Sequence, residues 1–236
     1  MNHARQPIDV AVLGATGAVG QRFIQLLEGH PWFRVAEVIA SDRSAGQLYG
    51  KVARWVLPGN PPEDVVGREV LPLDADVQSR IVFSALPADI AKTVEWRLAE
   101  AGHVVCSNAS AYRMQPDVPI LLPEANADHA ALVTAQREKY GWGGGGLVTN
   151  SNCTAAPVVM ALAPLRRFGI QAVQMVSMQA ISGAGYPGVS ALDITENVIP
   201  FINGEEPKLE AEPRKMLGAL DGDRIAMLDC VMSATC

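Results

Sequence analysis

IDVAVLGATGAVG, residues 8–20, sets the architecture of the first half of this chain. Its opening run, Ile8–Leu13, is apolar enough for a strand buried on both faces, and Val19–Leu27 then has helical periodicity. Glycines at this spacing allow a tight turn and let a pyrophosphate approach the helix N-terminus. A glycine-rich turn without a ligand has the same pattern, but its place between strand and helix favours a dinucleotide site. The predicted cofactor-binding residues here are Gly14, Thr16, Gly17, Ala18, Val19 and Gly20.

Apolar runs alternate with helical patterns over the first 150 residues. Strands are predicted at Val35–Ala40, at Ile81–Ala85 and from Val104, with a helix over Asp89–Ala101. This alternation is typical of a parallel α/β sheet with right-handed crossovers. The glycine-rich stretch 141–146 predicts a flexible loop before a further strand. We therefore expect a Rossmann-type domain over residues 1–150.

The pattern changes after residue 150. A helix is predicted over Ala155–Phe168, with Pro164 bending or ending it. Longer alternating segments predict strands over Gln171–Ile181 and Ile225–Cys236. The expected fold class is α/β, with the Rossmann-type domain followed by an α+β domain over residues 151–236.

The composition is that of a globular protein. Of the 236 residues 49% are hydrophobic, and the net charge of −6 leaves no basic face for nucleic acid. No apolar run is long enough to span a membrane, and the polar start Met1–Pro7 has no secretory pattern. The four cysteines lack metal-type spacing, so we expect no metal site and reduced thiols in the cytoplasm.

The residues after the second strand bear on the choice of dinucleotide. Arg43, flanked by Ser41 and Ser44, suits the 2′-phosphate of NADP, because a guanidinium forms paired, charged hydrogen bonds to phosphate. Asp42 suits the free 2′-hydroxyl of NAD instead. We favour NADP, with a solvated polar loop as the alternative.

Cys153 is the candidate nucleophile. It follows a predicted strand and opens a predicted helix, and a helix N-terminus favours the thiolate. A thiolate there can attack an aldehyde or acyl carbon, and Asn152 with nearby N–H groups can stabilise an oxyanion. A small buried cysteine is the alternative interpretation. Together with a dinucleotide, the thiol predicts oxidation of an aldehyde through a thioester.

These residues, taken together, resemble the aspartate-semialdehyde dehydrogenase family over essentially the whole chain. The matching stretches are GATGAVGQRF (14–23), SDRSAG (41–46), FSALP (83–87), SNASAYRM (107–114), LLPEANADH (121–129), TNSNCTA (149–155), MQAISGAGYPGV (178–189), IPFINGEEPK (199–208) and SATC (233–236). The resemblance implies NADP-dependent, reversible reductive dephosphorylation of L-aspartyl 4-phosphate to aspartate 4-semialdehyde. This step leads to lysine, threonine and methionine. It also implies that the second domain is catalytic and mediates assembly into homodimers or homotetramers.

The resemblance also implies roles for individual residues. Cys153 resembles the nucleophile that carries the acyl group, and Gln179 a residue that positions the substrate. Arg113 and Lys208 resemble the ligands of phosphate, and Glu205 faces the substrate's amino group, with Asn108 near the same pocket. The nicotinamide is expected to be bordered by Ser84, Leu86, Ser182, Gly183 and Gly185.

One element of the family pattern is not found. The family's base is a histidine shortly after the SATC stretch, and the histidines of this chain, the last of which is His129, all precede Cys153. We therefore expect a C-terminally truncated second domain, poor turnover by residues 1–236 alone, and apolar surface exposed where further chain packs.

Three other interpretations stay open on the sequence. A malonyl- or succinyl-CoA reductase shares the thiol and NADP, but takes its acyl group from CoA. A second possibility is a non-catalytic NADP-binding module. A third is a reductase with a different active site, in which Cys153 is structural.

Overall fold

The computed structural model describes residues 6–236, so residues 1–5 of the predicted polar start lie outside the described part. The chain forms two compact units. The first extends to Tyr112 and resumes at Val133–Thr149; the second comprises Arg113–Leu132 and Asn150–Cys236. The second unit thus includes residues 113–132, which the sequence analysis placed in the first domain.

Ten strands form the sheets of the described residues. Their bounds are β1 Ile8–Leu13, β2 Phe33–Ile39, β3 Val70–Leu71, β4 Ile81–Ser84, β5 Val104–Ser107, β6 Gly146–Thr149, β7 Ala172–Val176, β8 Ala219–Asp221, β9 Arg224–Ala226 and β10 Val231–Thr235.

The α-helices are α1 Ala18–Leu27, α2 Tyr49–Val52, α3 Glu63–Val66, α4 Ala88–Glu100, α5 Pro123–Asn126, α6 Leu132–Tyr140, α7 Ala155–Leu162, α8 Ala191–Ile194 and α9 Glu205–Met216. Short 3₁₀ helices span Ala127–Ala131, Ala163–Phe168 and Ile181–Ala184. Among residues 6–236, no helix combines the length and apolar character needed to cross a membrane.

The first unit is built on one sheet with the strand order β3-β2-β1-β4-β5-β6. Its ladders are parallel, and β1 lies between β2 and β4. This is the order of a Rossmann fold, in which ligands bind at the carboxyl ends of the strands where the order reverses. The Rossmann-type prediction is confirmed, and the predicted strands and helices of this unit agree with the structure to within two residues.

The glycine-rich stretch 141–146 is held in place by neighbouring groups, which differs from the flexible loop predicted. Arg137 donates hydrogen bonds to the carbonyl oxygens of Gly144 and Gly145, at 3.1 and 2.7 Å. A Cβ on Gly145 would lie 1.8 Å from the carbonyl oxygen of Ala99, at the end of α4. Glycine is needed here because backbone packs on backbone, not because the segment is mobile.

The second unit packs α7, α9 and β10 together, and β10 pairs in parallel with β7. Ala155, Leu209 and Ala234, one from each of the three elements, belong to a shared apolar core. The predicted strand Gln171–Ile181 ends at Val176, and the predicted strand over Ile225–Cys236 is two strands, of which β9 forms a hairpin with β8. As predicted, Pro164 ends the helix, since the chain continues as a 3₁₀ turn from Ala163.

Buried hydrogen bonds link residues 113–132 to the end of α9. The Lys215 ammonium donates to the carbonyl oxygens of Arg113, Gln115 and Val118, at 2.6–2.7 Å. Asn126 donates to the carbonyl oxygens of Ile120 and Met216. The contacts of Lys215 and the contact of Asn126 with Met216 join segments about a hundred residues apart in sequence, and such pairing has no local sequence pattern.

A buried carboxyl group lies beneath the strand ends of the first unit. Glu95 on α4 is fully buried and accepts a 2.7 Å hydrogen bond from Ser107 at the end of β5. Burial raises the pKa of Glu95, although hydrogen bonds from Ser84 and Ser107 oppose this. The folded protein therefore holds this proton at pH values where the unfolded chain has released it, so Glu95 makes stability fall as pH rises from about 4.3, the unfolded value.

We expect Glu95→Gln to stabilise the protein at pH 8, because the amide removes the cost of ionising a buried group and can still accept from Ser107. At pH 4 the wild-type carboxyl is already protonated, so the gain should vanish. Urea denaturation at the two pH values measures the difference. Glu100→Gln, on the exposed end of the same helix, is the control. An equal effect of Glu95→Gln at both pH values would contradict the assignment.

Candidate functional site

The glycine turn has the geometry of a dinucleotide loop. Gly14 has a φ of +70°, and a Cβ there would lie 2.6 Å from the carbonyl oxygen of Ala85. Gly17 is the N-cap of α1, and its N–H donates to the carbonyl oxygen of Gly14 at 3.0 Å. The first N–H groups of a helix have no partner within it, so the start of α1 can bind an anion.

Two buried side chains that the sequence analysis missed support this turn. Gln21 donates to the carbonyl oxygens of Thr16 and Arg54 and accepts from the N–H of Val56, at 2.8–3.0 Å. The Tyr49 hydroxyl donates to the carbonyl oxygen of Ala15 at 2.9 Å. A polar residue inside an amphipathic helix at the position of Gln21 was the available signal, because a buried amide needs partners.

The polar loop after β2 presents Ser41, Asp42 and Arg43 to solvent, with Ser44 half-buried. The N–H of Ser44 donates to the carbonyl oxygen of Ser41 at 2.9 Å, which closes a turn. The guanidinium is thus a solvent-facing cation next to the end of β2, as a 2′-phosphate site requires.

The residues predicted near the nicotinamide lie on both units. Ser84 and Leu86 are buried at the end of β4, and the Ser84 side chain interacts with Glu95. The N–H of Asn108 donates to the carbonyl oxygen of Ser84 at 2.8 Å, so Asn108 belongs to the first unit. Ser182 and Gly183 lie in the second unit on the 3₁₀ turn Ile181–Ala184, and Gly185 follows it.

Cys153 is exposed just before α7, in the second unit. It lines an open cleft of about 370 Å³. The other lining residues are Thr154, Pro157, Ser177, Met178, Gln179, Ala180, Ser182 and Gly183. The alternative of a small buried cysteine therefore fails for Cys153, and the thiol can meet a small molecule in the cleft.

Asn152 fixes the backbone next to that thiol. Its side-chain oxygen accepts from the N–H groups of Thr154 and Ala155, at 2.8 and 3.2 Å, so it caps the start of α7. Its side-chain nitrogen donates to Glu205 at 2.8 Å, and its backbone N–H donates to Glu212 at 2.6 Å. The amide that was predicted to stabilise an oxyanion is therefore engaged in holding the turn.

The Glu205 carboxylate interacts with three side chains that carry N–H groups. One carboxylate oxygen accepts from Asn152 and, at 2.9 Å, from Gln179, and the other lies 3.4 Å from the Lys208 ammonium. Burial acts to raise the pKa of Glu205, but these hydrogen bonds and the charge of Lys208 outweigh it and lower the pKa. The group is thus an anion at neutral pH, while the Lys208 side chain remains 41% exposed.

Arg113 is buried and forms a 3.0 Å ion pair with Glu212 on α9. Glu212 and Lys215 were both missed from the sequence. Burial lowers the pKa of Lys215 to about 8, with the charges of Asp117 and Glu212 opposing the shift. It therefore stays largely charged at neutral pH, where its three carbonyl acceptors match its three N–H groups.

His129 is fully buried, away from solvent. Its Nε2 lies 3.2 Å from the carbonyl oxygen of Gly218, so this nitrogen carries the proton, and its Nδ1 lies 3.2 Å from the side-chain nitrogen of Asn126. Burial lowers the pKa of His129, although the hydrogen bond to Gly218 opposes this. A buried, neutral ring that donates to a backbone carbonyl fits a structural histidine and not a base.

Two family models match the chain. The semialdehyde dehydrogenase NAD-binding domain matches residues 9–133, and the semialdehyde dehydrogenase dimerisation domain matches residues 162–236. The first match contains β1 to β5 of the Rossmann sheet but also residues 113–132 of the second unit, and the second match contains α9 and β10.

Individual relatives point in the same direction. The chain is 51% identical to an aspartate-semialdehyde dehydrogenase of Archaeoglobus fulgidus and 46% identical to one of Methanothermobacter thermautotrophicus, over 96% and 97% of its length. It spans 66% of the length of each of these relatives. A crystal structure of the Candida albicans aspartate-semialdehyde dehydrogenase with NADP superimposes with a TM-score of 0.89 at 38% identity, covering 98% of this chain and 67% of that one.

Proposed function

Because this chain belongs to the semialdehyde dehydrogenase family, we propose that the whole protein is an NADP-dependent aspartate-semialdehyde dehydrogenase. It would interconvert L-aspartyl 4-phosphate and L-aspartate 4-semialdehyde, with release or uptake of phosphate. The observation that carries this proposal is the exposed Cys153 at the start of α7, which lines a cleft with Gln179 while Asn152 holds the turn beside it.

The residues of the first unit fit a dinucleotide. Gly14 and Gly20 leave no room for a Cβ, so the turn keeps its backbone open at the start of α1. Ala18 and Val19 would offer their N–H groups to the pyrophosphate, and Arg43 would bind the 2′-phosphate. The NADP in the Candida albicans structure supports this choice. When bound, the cofactor supplies the hydride that reduces the acyl group.

Cys153 supplies the covalent chemistry. In the reductive direction its thiolate attacks the acyl carbon of aspartyl phosphate, a C–S bond forms, and the C–O bond breaks as phosphate leaves with the electron pair. Arg113 and Lys208 would hold that phosphate, and Lys208 has the exposure that this requires. The anionic Glu205 would attract the substrate's ammonium group, and Gln179 would orient the substrate.

Assembly and pathway follow from the same proposal. Large apolar side chains are exposed in the second unit, including Val176, Met178, Leu192 and Val198, each more than 75% accessible. Exposed apolar side chains of this size support a homodimer or homotetramer through this unit. We place the protein in the cytoplasm, on the route to lysine, threonine and methionine.

The deciding experiment follows NADPH absorbance when the full-length protein is mixed with aspartate 4-semialdehyde, NADP and phosphate. We expect turnover that depends on phosphate and is much slower with NAD. Turnover with CoA in place of phosphate would identify a CoA-acylating reductase and overturn the proposal. If the protein bound NADP but showed no turnover under all of these conditions, its function would be that of a non-catalytic NADP-binding module.

A further inference from the structure

Glu212 joins two parts of the second unit that the proposed reaction needs. It lies on α9 and is 2% exposed. One carboxylate oxygen lies 3.0 Å from Nη1 of Arg113, and the other accepts a 2.6 Å hydrogen bond from the N–H of Asn152. We infer that Glu212 is a positioning residue, which sets the turn that bears Cys153 and the guanidinium of Arg113 at the same time.

Two carboxylates of helix α9 accept hydrogen bonds from Asn152. Glu205 and Glu212 are about two helical turns apart, so their side chains share a face. Glu205 accepts from the side-chain amide of Asn152, and Glu212 accepts from its backbone N–H. Since the Asn152 oxygen also caps α7, the residue before the nucleophile is fixed at its backbone and at both ends of its amide.

An ionised carboxylate is the group that this position requires. Both of its oxygens face donors, and a carboxylate accepts at both ends without offering a proton. A glutamine can accept at one end only, so its NH₂ group would face either the guanidinium or the N–H of Asn152. An intact buried ion pair contributes little net stability compared with apolar side chains of similar size. We therefore explain the carboxylate at position 212 by its effect on the geometry of the site.

Glu212→Gln should lower the free energy of unfolding, because the buried Arg113 guanidinium loses this ion pair, but other contacts still hold both segments. Lys215, on the same helix, still donates to the carbonyl oxygens of Arg113, Gln115 and Val118, although it loses the favourable charge of Glu212. Glu205 and the α7 cap also continue to hold the Asn152 side chain. The variant should therefore misalign the turn that bears Cys153 and the guanidinium of Arg113, while the chain segments that carry them stay attached to α9.

The inference rests on the proposed function, so its test has one arm that uses the reaction and one that does not. In the full-length protein, Glu212→Gln should lower kcat by about tenfold or more and raise KM for phosphate, because small misplacements of reacting groups are costly. Glu212→Asp keeps the charge but is one methylene shorter, and should fall between wild type and Glu212→Gln. Glu210→Gln is the matched control, since Glu210 is half-buried on the same helix and accepts a hydrogen bond from the N–H of Ala234 on β10.

The second arm measures alkylation of Cys153 by iodoacetamide, counted by mass spectrometry at native conditions. Glu212→Gln should slow it by about fivefold or more, since the thiol loses its fixed place at the start of α7, and Glu210→Gln should leave it unchanged. If the wild type shows no phosphate-dependent turnover, the proposed function fails. The alkylation rates alone then test the positioning role of Glu212. Rates and KM within about twofold of wild type, expressed per folded molecule, would overturn the positioning role.

Discussion

Replacing Cys153 by serine will abolish phosphate-dependent oxidation of aspartate 4-semialdehyde by the full-length protein, with kcat reduced by about a thousandfold or more. A serine hydroxyl is not ionised at neutral pH and is a much weaker nucleophile toward the aldehyde carbon than a thiolate. Binding of NADPH should be unchanged, because its predicted ligands in the glycine turn are untouched. Steady-state absorbance and fluorescence titration measure the two quantities.

The matched control is Cys106→Ser. Cys106 lies on β5 in the first unit, and burial raises the pKa of its thiol to about 11, so it stays protonated and unreactive at neutral pH. This variant should keep kcat within about twofold of wild type. If Cys153→Ser retained substantial turnover, Cys153 would be structural, and the thioester mechanism would fall with it.

The sequence was most informative where structure is local. β1, the glycine turn and α1 form a continuous unit whose hydrophobic period and glycine spacing belong together, and both matched the structure. The strand predicted over Gln171–Ile181 was too long because alternation alone does not show where pairing stops. β10 pairs with residues 172–176 only, and beyond them the chain turns at Ile181.

The candidate site was predictable in part for the same reason. Cys153 stands in a local pattern of strand, polar turn and helix, and Glu205 and Lys208 lie one turn apart on α9. Glu212 and Lys215 belong to the charged run EEPKLEAEPRK, which looks like a solvated helix face. Their burial depends on contacts with Arg113 and residues 115–118, and long-range packing of that kind has no signature in a single sequence.

Replacing Gly20 by alanine should have the largest effect on stability. Its added Cβ would lie 2.2 Å from the carbonyl oxygen of Gly14 and 2.8 Å from the Cα of Ala15. These neighbours are backbone atoms, so no rotamer change relieves the overlap, and α1 must move away from the turn. Overpacking usually costs about 1–3 kcal/mol, and we expect a loss of about 3 kcal/mol or more in the free energy of unfolding.

Gly67→Ala provides the matched control for that measurement. Gly67 ends α3 with a φ of −85°, and a Cβ there would meet nothing within 4 Å. We expect a change within about 0.5 kcal/mol in urea denaturation. Equal stability of the Gly20→Ala variant and wild type would show that the turn adapts more freely than its packing indicates.

The Gly20→Ala variant also tests the predicted role of Gly20 in cofactor binding, separately from its role in packing. If α1 moves, its first N–H groups no longer converge on the pyrophosphate position, and the affinity for NADPH should fall by about tenfold or more even where the protein remains folded. Fluorescence titration in the absence of urea measures this. Lost stability with unchanged NADPH affinity would mean that the dinucleotide is held elsewhere, and the assignment of residues 14–20 to cofactor binding would be wrong.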